Sequence, residues 1–271
     1  MRVGIPGPLV AAVTGLGLLL MLSCSQQIAT LPKVEPRALV TTISTTSAIT
    51  GTTITATTAA SELFQTGPVS AVIDRTWQSV VRVRGLGCKA SQVGTGFVVK
   101  KGLVVTAAHV VAGLASPEVH LGSNIRTASI VAFNSVSDLA ALAVDTAGAI
   151  PLSLADAAAG QVVVVLAFDE VGDPETISSR VVRPVRAVGD DIYGEPGEGR
   201  DALEIAASVK SGNSGAPVVD LDGDAVGLLF SRTRGGVEVA YAVQSSEVVS
   251  LLEAVNKGGG EVVTSGECRP R

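Results

Sequence analysis

Short apolar runs rich in valine recur along the chain, and they limit the possible folds more than any other feature of the sequence. Examples are Leu103 to Thr106, Gln161 to Phe168 and Asp224 to Phe230. Valine favours strands, and turn residues such as Gly, Asp and Pro bound the runs. Aromatic residues make up only 3% of the chain, so the core must be built from Val, Ala, Leu and Ile. The sequence therefore predicts a mostly β protein.

The stretch from Ser208 to Asp220 places Ser214 in a glycine-flanked turn directly before a strand-like run. Gly212 can take backbone conformations that other residues avoid, so successive N–H groups can converge in front of Ser214. Such a pocket stabilises an oxyanion. An ordinary glycine-rich turn between strands has a similar composition. The interpretation therefore depends on residues elsewhere in the chain.

Two further residues precede Ser214 in an informative order. His109 lies in T-A-A-H-V, just after the apolar run Leu103 to Val105, and we expect it at a strand end facing a cleft. Asp138 begins the run D-L-A-A-L-A-V. A serine hydroxyl is a poor nucleophile unless a base such as histidine activates it, and a carboxylate can orient that base. The order His, Asp, Ser predicts a catalytic triad.

These three motifs resemble those of the trypsin-like (chymotrypsin-fold) serine proteases, and among them the bacterial HtrA type, which carry T-x-A-H-V, D-L-A-x-L and G-x-S-G-x-P. The resemblance covers roughly residues 70 to 256. It implies an all-β fold of two six-stranded antiparallel barrels with a short N-terminal helix and a C-terminal helix. In this fold His109 and Asp138 come from the first barrel and Ser214 from the second. The backbone N–H groups of Gly212 and Ser214 then form the oxyanion hole.

The resemblance also implies where substrate specificity is set. Ser208 falls near the floor of the primary pocket, and Phe230, Ser231 and Arg232 form its walls. Because no acid occupies the floor, we expect a preference for small or apolar side chains over Lys or Arg. Asn213 replaces the aspartate of zymogen-activated relatives, so we do not expect activation by propeptide cleavage. Because the sequence ends at Arg271, we expect no PDZ domain of the kind common in HtrA proteins.

The amino-terminal region predicts export. An apolar stretch from Leu9 to Leu22 follows Arg2 and is short for a membrane span. The sequence M-L-S-C, ending at Cys24, is similar to a bacterial lipobox, which implies lipidation of Cys24 and attachment to the cell envelope. An ordinary signal peptide and an uncleaved anchor are the alternatives. Residues 25–67, rich in Ser and Thr, predict a disordered linker.

The remaining cysteines, Cys88 and Cys268, form an even pair in an exported chain, so we expect a disulfide between them, with two free thiols as the alternative. A similar link occurs in actinobacterial membrane-anchored proteases of this broad family. His120 lies outside any Cys/His spacing, and we expect neither a metal nor a cofactor. The formal charge of −5 without a basic cluster argues against nucleic-acid binding.

The sequence thus predicts an exported serine endopeptidase that acts on proteins or peptides through an acyl-enzyme. The alternative is a catalytically silent, protease-fold binding module of the cell envelope. The predicted domains are a signal peptide or lipobox (1–24), the linker (25–67) and a protease domain (68–271). Within the last, we expect one barrel at about 78–155, a second at about 160–245, and a C-terminal helix and tail at 246–271. The sequence does not predict the oligomeric state.

Overall fold

The computed structural model describes residues 67–232 and 238–269, and for residues 231 and 232 it describes the backbone alone. The predictions for residues 1–24, with Cys24, and for residues 25–66 of the linker lie outside these residues. The helices of the described part are α1 (Pro68–Thr76), α2 (Ala108–Val111) and α3 (Ser245–Lys257), with a 3-10 turn at Trp77–Ser79. Its strands are β1 (Val80–Gly87), β2 (Ala90–Lys100), β3 (Leu103–Thr106), β4 (Glu118–Leu121), β5 (Asn124–Thr127), β6 (Ser129–Asn134), β7 (Leu139–Ala143), β8 (Val162–Phe168), β9 (Pro174–Asp190), β10 (Pro196–Ile205), β11 (Pro217–Val219), β12 (Ala225–Arg232) and β13 (Ala240–Gln244).

The first half of the fold is an antiparallel sheet with the strand order β5-β4-β1-β2-β3-β7-β6. It has seven strands in the described part, one more than expected. The run Ile125 to Phe133 looks like a single strand in the sequence, but it divides at Ala128 into β5 and β6. Ala128 is buried, and its N–H donates to the Pro117 carbonyl at 2.8 Å. This contact turns the chain out of the β5 direction.

The second half is a closed barrel of six strands in the order β10-β13-β12-β11-β8-β9, as predicted. Strand β8 explains how the halves meet. Val163 and Val165 face the core of the barrel, whereas Val164 and Leu166 belong to the core shared with the first half. A strand buried on both faces reads as an unbroken apolar run. The predicted all-β fold class is confirmed.

The expected short N-terminal helix is α1, which ends at Thr76, where the 3-10 turn follows. Trp77 in that turn packs against Phe168, with ring centroids 5.6 Å apart. The C-terminal helix α3 buries Val248, Leu251 and Val255 against the fold. No helix of the described residues has the length and apolarity required to span a membrane.

The chain beyond α3 returns along the first half. Val263 donates its N–H to the Ile130 carbonyl of β6 at 2.8 Å. A disulfide joins the tail to the β1–β2 turn through Cys268 and Cys88, whose Cα atoms lie 5.4 Å apart. The predicted pairing of these two cysteines is therefore present. Ser265 holds the tail as well, because its hydroxyl donates to the Leu114 carbonyl at 2.7 Å.

Candidate active site

His109 lies on the short helix α2, which begins two residues after β3 ends. Its neighbours Ala108, Val110 and Val111 are buried and fix the helix against the first half. The imidazole is left partly exposed, with 18% of the side chain accessible. His109 thus lies within one helical turn of the end of β3, close to the predicted strand-end position.

Asp138 is held rigidly against that helix. Its carboxylate Oδ2 lies 2.7 Å from His109 Nδ1, and its Oδ1 accepts the His109 backbone N–H at 2.9 Å. The Asp138 carbonyl also accepts the Ala108 N–H at 3.1 Å. Because the carboxylate engages Nδ1, Nε2 is left as the nitrogen that can take a proton, which is the orientation a general base needs.

The loop before Asp138 sets up this geometry. The Asn134 side chain accepts the N–H groups of Val136 and Ser137, both at 3.0 Å, which closes a tight turn. Asp138 itself has a φ of 57°, in the left-handed region that non-glycine residues seldom adopt. Strain of this kind persists where the surroundings fix it, and it is frequent at functional sites.

Ser214 lies on a turn that packs against the same region. Its carbonyl accepts the Thr95 N–H at 2.8 Å, and the next residue, Gly215, donates to the Leu229 carbonyl at 2.7 Å. A Cβ added at Gly215 would lie 3.0 Å from the Ala107 nitrogen, at the start of α2. The fold therefore brings the Ser214 turn against the segment that carries His109. No hydrogen bond joins the Ser214 hydroxyl to the imidazole or to any other described residue.

The backbone of this turn has the features of an oxyanion hole. Gly212 has a φ of 93°, and its carbonyl accepts the Thr95 hydroxyl at 2.8 Å, so that this carbonyl faces the interior. Within the described residues, the N–H groups of Gly212 and Ser214 have no hydrogen-bond acceptor. Two unpaired donors so close in the chain can bind a developing negative charge.

Asn213 is completely buried under the turn and stabilises it through its side-chain hydrogen bonds. Its Oδ1 accepts the Lys210 N–H at 2.8 Å, and its Nδ2 donates to the Phe168 carbonyl at 3.1 Å and to Glu175 Oε2 at 3.0 Å. The other Glu175 oxygen lies 3.1 Å from Lys210 Nζ. Neither Thr95 nor Glu175 belongs to a motif, so the sequence alone does not point to them.

A loop at residues 169–173 supports Gly212 from the other side. A Cβ at Gly212 would overlap the Asp169 carbonyl carbon, so only glycine fits there. The Asp169 carboxylate accepts the N–H groups of Val171, Gly172 and Asp173 at 2.8–3.1 Å. These bonds, that of Asp173 above all, lower the pKa of Asp169 below its ordinary value against the opposing effect of burial.

The predicted pocket residues are only partly brought together. Ser208 is exposed on the segment after β10, whereas Phe230 is half-buried near the end of β12. The side chains of Ser231 and Arg232 lie outside the described residues. Leu229 donates to the Ala216 carbonyl at 2.9 Å, and beyond it this edge of β12 has no partner in the described part of the chain. An extended peptide can pair with such an edge.

A family model described as a trypsin-like peptidase domain matches residues 94–228. Serine protease Rv3671c of Mycobacterium tuberculosis is 35% identical over 202 residues, which cover 73% of this chain and 50% of the relative. Mitochondrial serine protease HTRA2 of Bos taurus is 31% identical over 218 residues, which cover 74% of this chain and 46% of the relative. The chain thus spans about half the length of these relatives.

The fold is also similar to that of a crystal structure of the Rv3671c protease from M. tuberculosis in an active form. The TM-score is 0.70 at 35% identity, and the match covers 73% of this chain and 89% of that structure. An HtrA-type protease, AlgW with a tripeptide, shares the fold at 18% identity and a TM-score of 0.63, with 70% of this chain and 64% of that one covered.

Proposed function

The chain belongs to the trypsin-like serine proteases of the HtrA type, and from this premise we propose that it hydrolyses peptide bonds through His109, Asp138 and Ser214. The observation that carries the proposal is the 2.7 Å contact between His109 Nδ1 and Asp138 Oδ2, with the Ser214 turn packed against the same segment. Together these two contacts bring segments of three separate motifs against one another.

The proposed reaction is acyl transfer to water. His109 Nε2 takes the proton of the Ser214 hydroxyl as the oxygen attacks the substrate carbonyl, and the N–H groups of Gly212 and Ser214 bind the resulting oxyanion. The imidazolium then gives its proton to the leaving amine, which forms an acyl-enzyme. Water, deprotonated by His109, attacks the ester and restores the free Ser214 hydroxyl. Asp138 keeps the imidazole in the required tautomer throughout.

The second candidate is a binding module on a protease scaffold. One observation favours it, the absence of a Ser214 to His109 hydrogen bond among the described residues. Catalytic hydrogen bonds are often long in ligand-free sites and tighten when substrate binds. The unpaired N–H groups of Gly212 and Ser214 favour catalysis, because a binding module has no need of an oxyanion hole.

A fluorophosphonate probe tests the proposal directly. We expect the purified protein to be labelled once, on Ser214, and to cleave a protein substrate, and we expect Ser214→Ala and His109→Ala to abolish both. Ser211→Ala is the matched control, because Ser211 is an exposed serine of the same turn. Labelling that persists in Ser214→Ala, or none in the parent protein with or without added peptide, would favour the binding module.

We infer that the primary pocket prefers small or apolar side chains. Its proposed floor, Ser208, carries no charge, and the half-buried Phe230 supplies an apolar wall. Cleavage of a peptide library, read by mass spectrometry, is expected to give products that end in Ala, Val or Leu. Cleavage after Lys or Arg would contradict this inference while leaving the peptidase function intact.

We also propose export and attachment to the cell envelope. The support is the sequence of residues 1–24, with its short apolar stretch and the M-L-S-C motif that ends at Cys24. The disulfide between Cys88 and Cys268 suits an oxidising compartment. The intact mass of the membrane-extracted protein tests this: a diacylglyceryl adduct on a chain that begins at Cys24 is expected, and a full-length unmodified chain would exclude lipidation.

A further inference from the structure

A cavity of about 290 Å³ is lined by residues of β1, β4, the 3-10 turn and the segment that joins β8 to β9. Trp77 and Phe168 give it apolar walls, whereas Arg82 and His120 give it polar ones. Its volume is near the lower end of the roughly 300–1,000 Å³ that ligand pockets occupy, so it suits a small ligand. The proposed catalytic triad is not part of its lining.

Arg82 and His120 both reach the cavity because they are neighbours in the sheet. They are partners in the antiparallel register of β1 and β4, and such partners point to the same face. The next pair in that register is Arg84 and Glu118, with 3.9 Å between Arg84 Nε and Glu118 Oε2. The same Glu118 oxygen lies 3.4 Å from His120 Nε2. The acid of this row of side chains therefore contacts Arg84 and His120 rather than Arg82.

The Arg82 guanidinium has donors and a charge to offer. Its Nη2 donates to the Glu170 carbonyl at 3.0 Å, whereas its Nε is buried and has no hydrogen-bond partner among the described residues. Within the same residues, no carboxylate forms an ion pair with it. A buried donor without an acceptor is destabilising, and a guanidinium can bind a carboxylate through two parallel N–H groups. Arg82 is therefore suited to bind a carboxylate.

The acids of the loop at residues 169–173 leave the cavity free. Glu170 and Asp173 are exposed, and neither lines the cavity. The Asp169 carboxylate accepts three N–H groups of its own loop. None of these carboxylates takes the place of a ligand beside Arg82.

The walls and the cation together define the class of ligand. The Trp77 and Phe168 rings contact each other, with centroids 5.6 Å apart, and form a surface for an apolar group. One arginine with a planar set of donors matches a single carboxylate, whereas phosphate groups are commonly bound by clusters of arginines. The ligand expected here is a small carboxylic acid with an apolar body.

The same wall is continuous with the support of the Ser214 turn. Phe168 donates its N–H to the Thr95 hydroxyl at 2.9 Å, and its carbonyl accepts from Asn213 Nδ2 at 3.1 Å. The peptide that follows Phe168 and Asp169 packs so closely on Gly212 that no side chain fits there. A change at the cavity wall is therefore passed directly to the turn.

Arg82 holds the other end of this segment. Besides its bond to the Glu170 carbonyl, its guanidinium packs against Gly172, where an added Cβ would overlap it. Gly172 has a φ of 104°, a conformation that favours glycine. A ligand that fixes Arg82 would thus fix the loop that supports Gly212.

We propose that this cavity binds a small carboxylic acid with an apolar body, that the carboxylate pairs with Arg82, and that binding stabilises the Ser214 turn. Binding itself is independent of the peptidase function, whereas the effect on turnover rests on that proposed function. The carboxylate is either that of a free organic acid or that at the end of a short peptide, such as a cleavage product.

Trp77 is the only tryptophan of the chain and lines the cavity, so its fluorescence reports on binding. We expect 4-methylpentanoate to change the emission to saturation, and 4-methylpentanamide, a neutral compound of the same shape, to leave it unchanged. N-acetyl-leucine and its amide repeat the comparison for a peptide end, which distinguishes the two sources. Equal curves for acid and amide in both pairs, or a response to inorganic phosphate and to neither acid, would overturn the inference.

Substitutions locate the site. In Arg82→Gln we expect the Kd of the acid to rise at least tenfold. Arg126→Gln is the matched control, because it removes an exposed arginine of the same sheet and the same charge, and its Kd is expected to stay constant. If Arg82→Gln does not fold, His120→Glu takes its place, since a carboxylate opposite Arg82 should pair with it and exclude the added acid. An unchanged Kd in the folded variant would show that the site is wrong.

Turnover is measured separately. Saturating acid is expected to raise kcat/KM of the parent protein several-fold and to leave that of Arg82→Gln unchanged. Saturable binding with no change in kcat/KM would overturn the link to the Ser214 turn. Failure of the parent protein to react with the fluorophosphonate would instead overturn the peptidase function, and the fluorescence titration would still test the carboxylate site.

Discussion

The two halves of the fold present their parts of the proposed active centre in different ways. His109 and Asp138 both come from the first sheet, and two hydrogen bonds of 2.7 and 2.9 Å join them directly. Ser214 comes from the second half, on a turn shaped by contacts outside its own strand. Thr95 of the first sheet bonds to two of the turn carbonyls, those of Gly212 and Ser214. The His109–Asp138 pair is complete within one half, whereas the Ser214 turn requires both.

This difference separates residues proposed to act in the reaction from residues that hold the site together. A substitution in the His109–Asp138 pair should change the reaction with little effect on the geometry of the turn. A substitution beneath the Ser214 turn should disturb the oxyanion hole and the stability of the fold together. The buried Asn213, with both polar side-chain atoms bonded, supports a turn that forms without the insertion of a new amino terminus. We therefore expect the activity to be regulated through the contacts of the Ser214 turn.

The largest expected effect comes from Asp138→Asn, which tests the first side of the comparison. An amide at this position can donate to Nδ1 and so favours the wrong imidazole tautomer. We expect kcat to fall by about 10⁴ with a small change in KM. Asp145→Asn, an exposed acid of the same half, should leave kcat unchanged. Retention of more than about a tenth of the parent kcat would show that the pair does not work as a base.

The next effect tests the turn. In Gly212→Ala the added methyl group meets the Asp169–Glu170 peptide, and φ is 93° at this position. We expect the oxyanion hole to be lost and kcat to fall by about 10²- to 10³-fold. Gly223→Ala is the matched control, because its φ of 90° imposes similar strain in a different turn. If both variants lose activity equally, strain rather than the oxyanion hole explains the loss.

The sequence predicted the larger features of the fold because short, Val-rich runs bounded by turn residues indicate strands independently of their neighbours. Leu103 to Thr106 was predicted with the bounds of β3. The first half has one strand more than predicted, because a tertiary contact of Ala128 breaks a run that looks continuous. Contacts between distant segments leave no mark on a local pattern.

The same reasoning applies to the site. His109, Asp138 and Ser214 are predicted from the sequence because each lies in a recognisable local motif. Thr95 was missed, because a threonine in a strand is common and its contacts with the Gly212 and Ser214 carbonyls arise only from what the fold places beside it. The structure also leaves Ser208 exposed, so its role in the pocket stays a prediction.

A moderate effect is expected from Thr95→Val, which removes the link between the halves. The Thr95 hydroxyl donates to the Gly212 carbonyl at 2.8 Å and accepts the Phe168 N–H at 2.9 Å. Valine has nearly the same shape but leaves both groups unpaired, so we expect a loss of about 1–3 kcal/mol in the free energy of unfolding. We expect kcat to fall about tenfold as well, because the oxyanion donors lose their support. Chemical denaturation and steady-state kinetics measure the two effects.

The control for this variant is Thr76→Val, which removes the bond from a buried hydroxyl to the Val72 carbonyl within α1. It should lower the free energy of unfolding without lowering kcat. If Thr95→Val loses stability but keeps full activity, the oxyanion turn does not depend on the first half. The conclusion that the Ser214 turn requires both halves would then be wrong.

The smallest expected effect concerns the loop that supports Gly212. N–H donors, with Asp173 first, lower the pKa of Asp169 from its ordinary value of 3.8. A lowered pKa in the folded state means that the ionised carboxylate adds stability above the ordinary value, and that this contribution is lost as the pH falls through the lower folded value. An asparagine side chain in place of Asp169 would keep an acceptor oxygen but no charge.

In Asp169→Asn we therefore expect the free energy of unfolding to fall less between about pH 6 and about pH 3 than in the parent protein. Asp173→Asn removes an exposed acid of the same loop and serves as the control, with the parent dependence retained. At neutral pH, kcat of Asp169→Asn should change by no more than about threefold, because the turn of the loop can still form. A variant whose stability depends on pH as steeply as that of the parent would show that the ionised Asp169 carboxylate does not hold this side of the oxyanion turn.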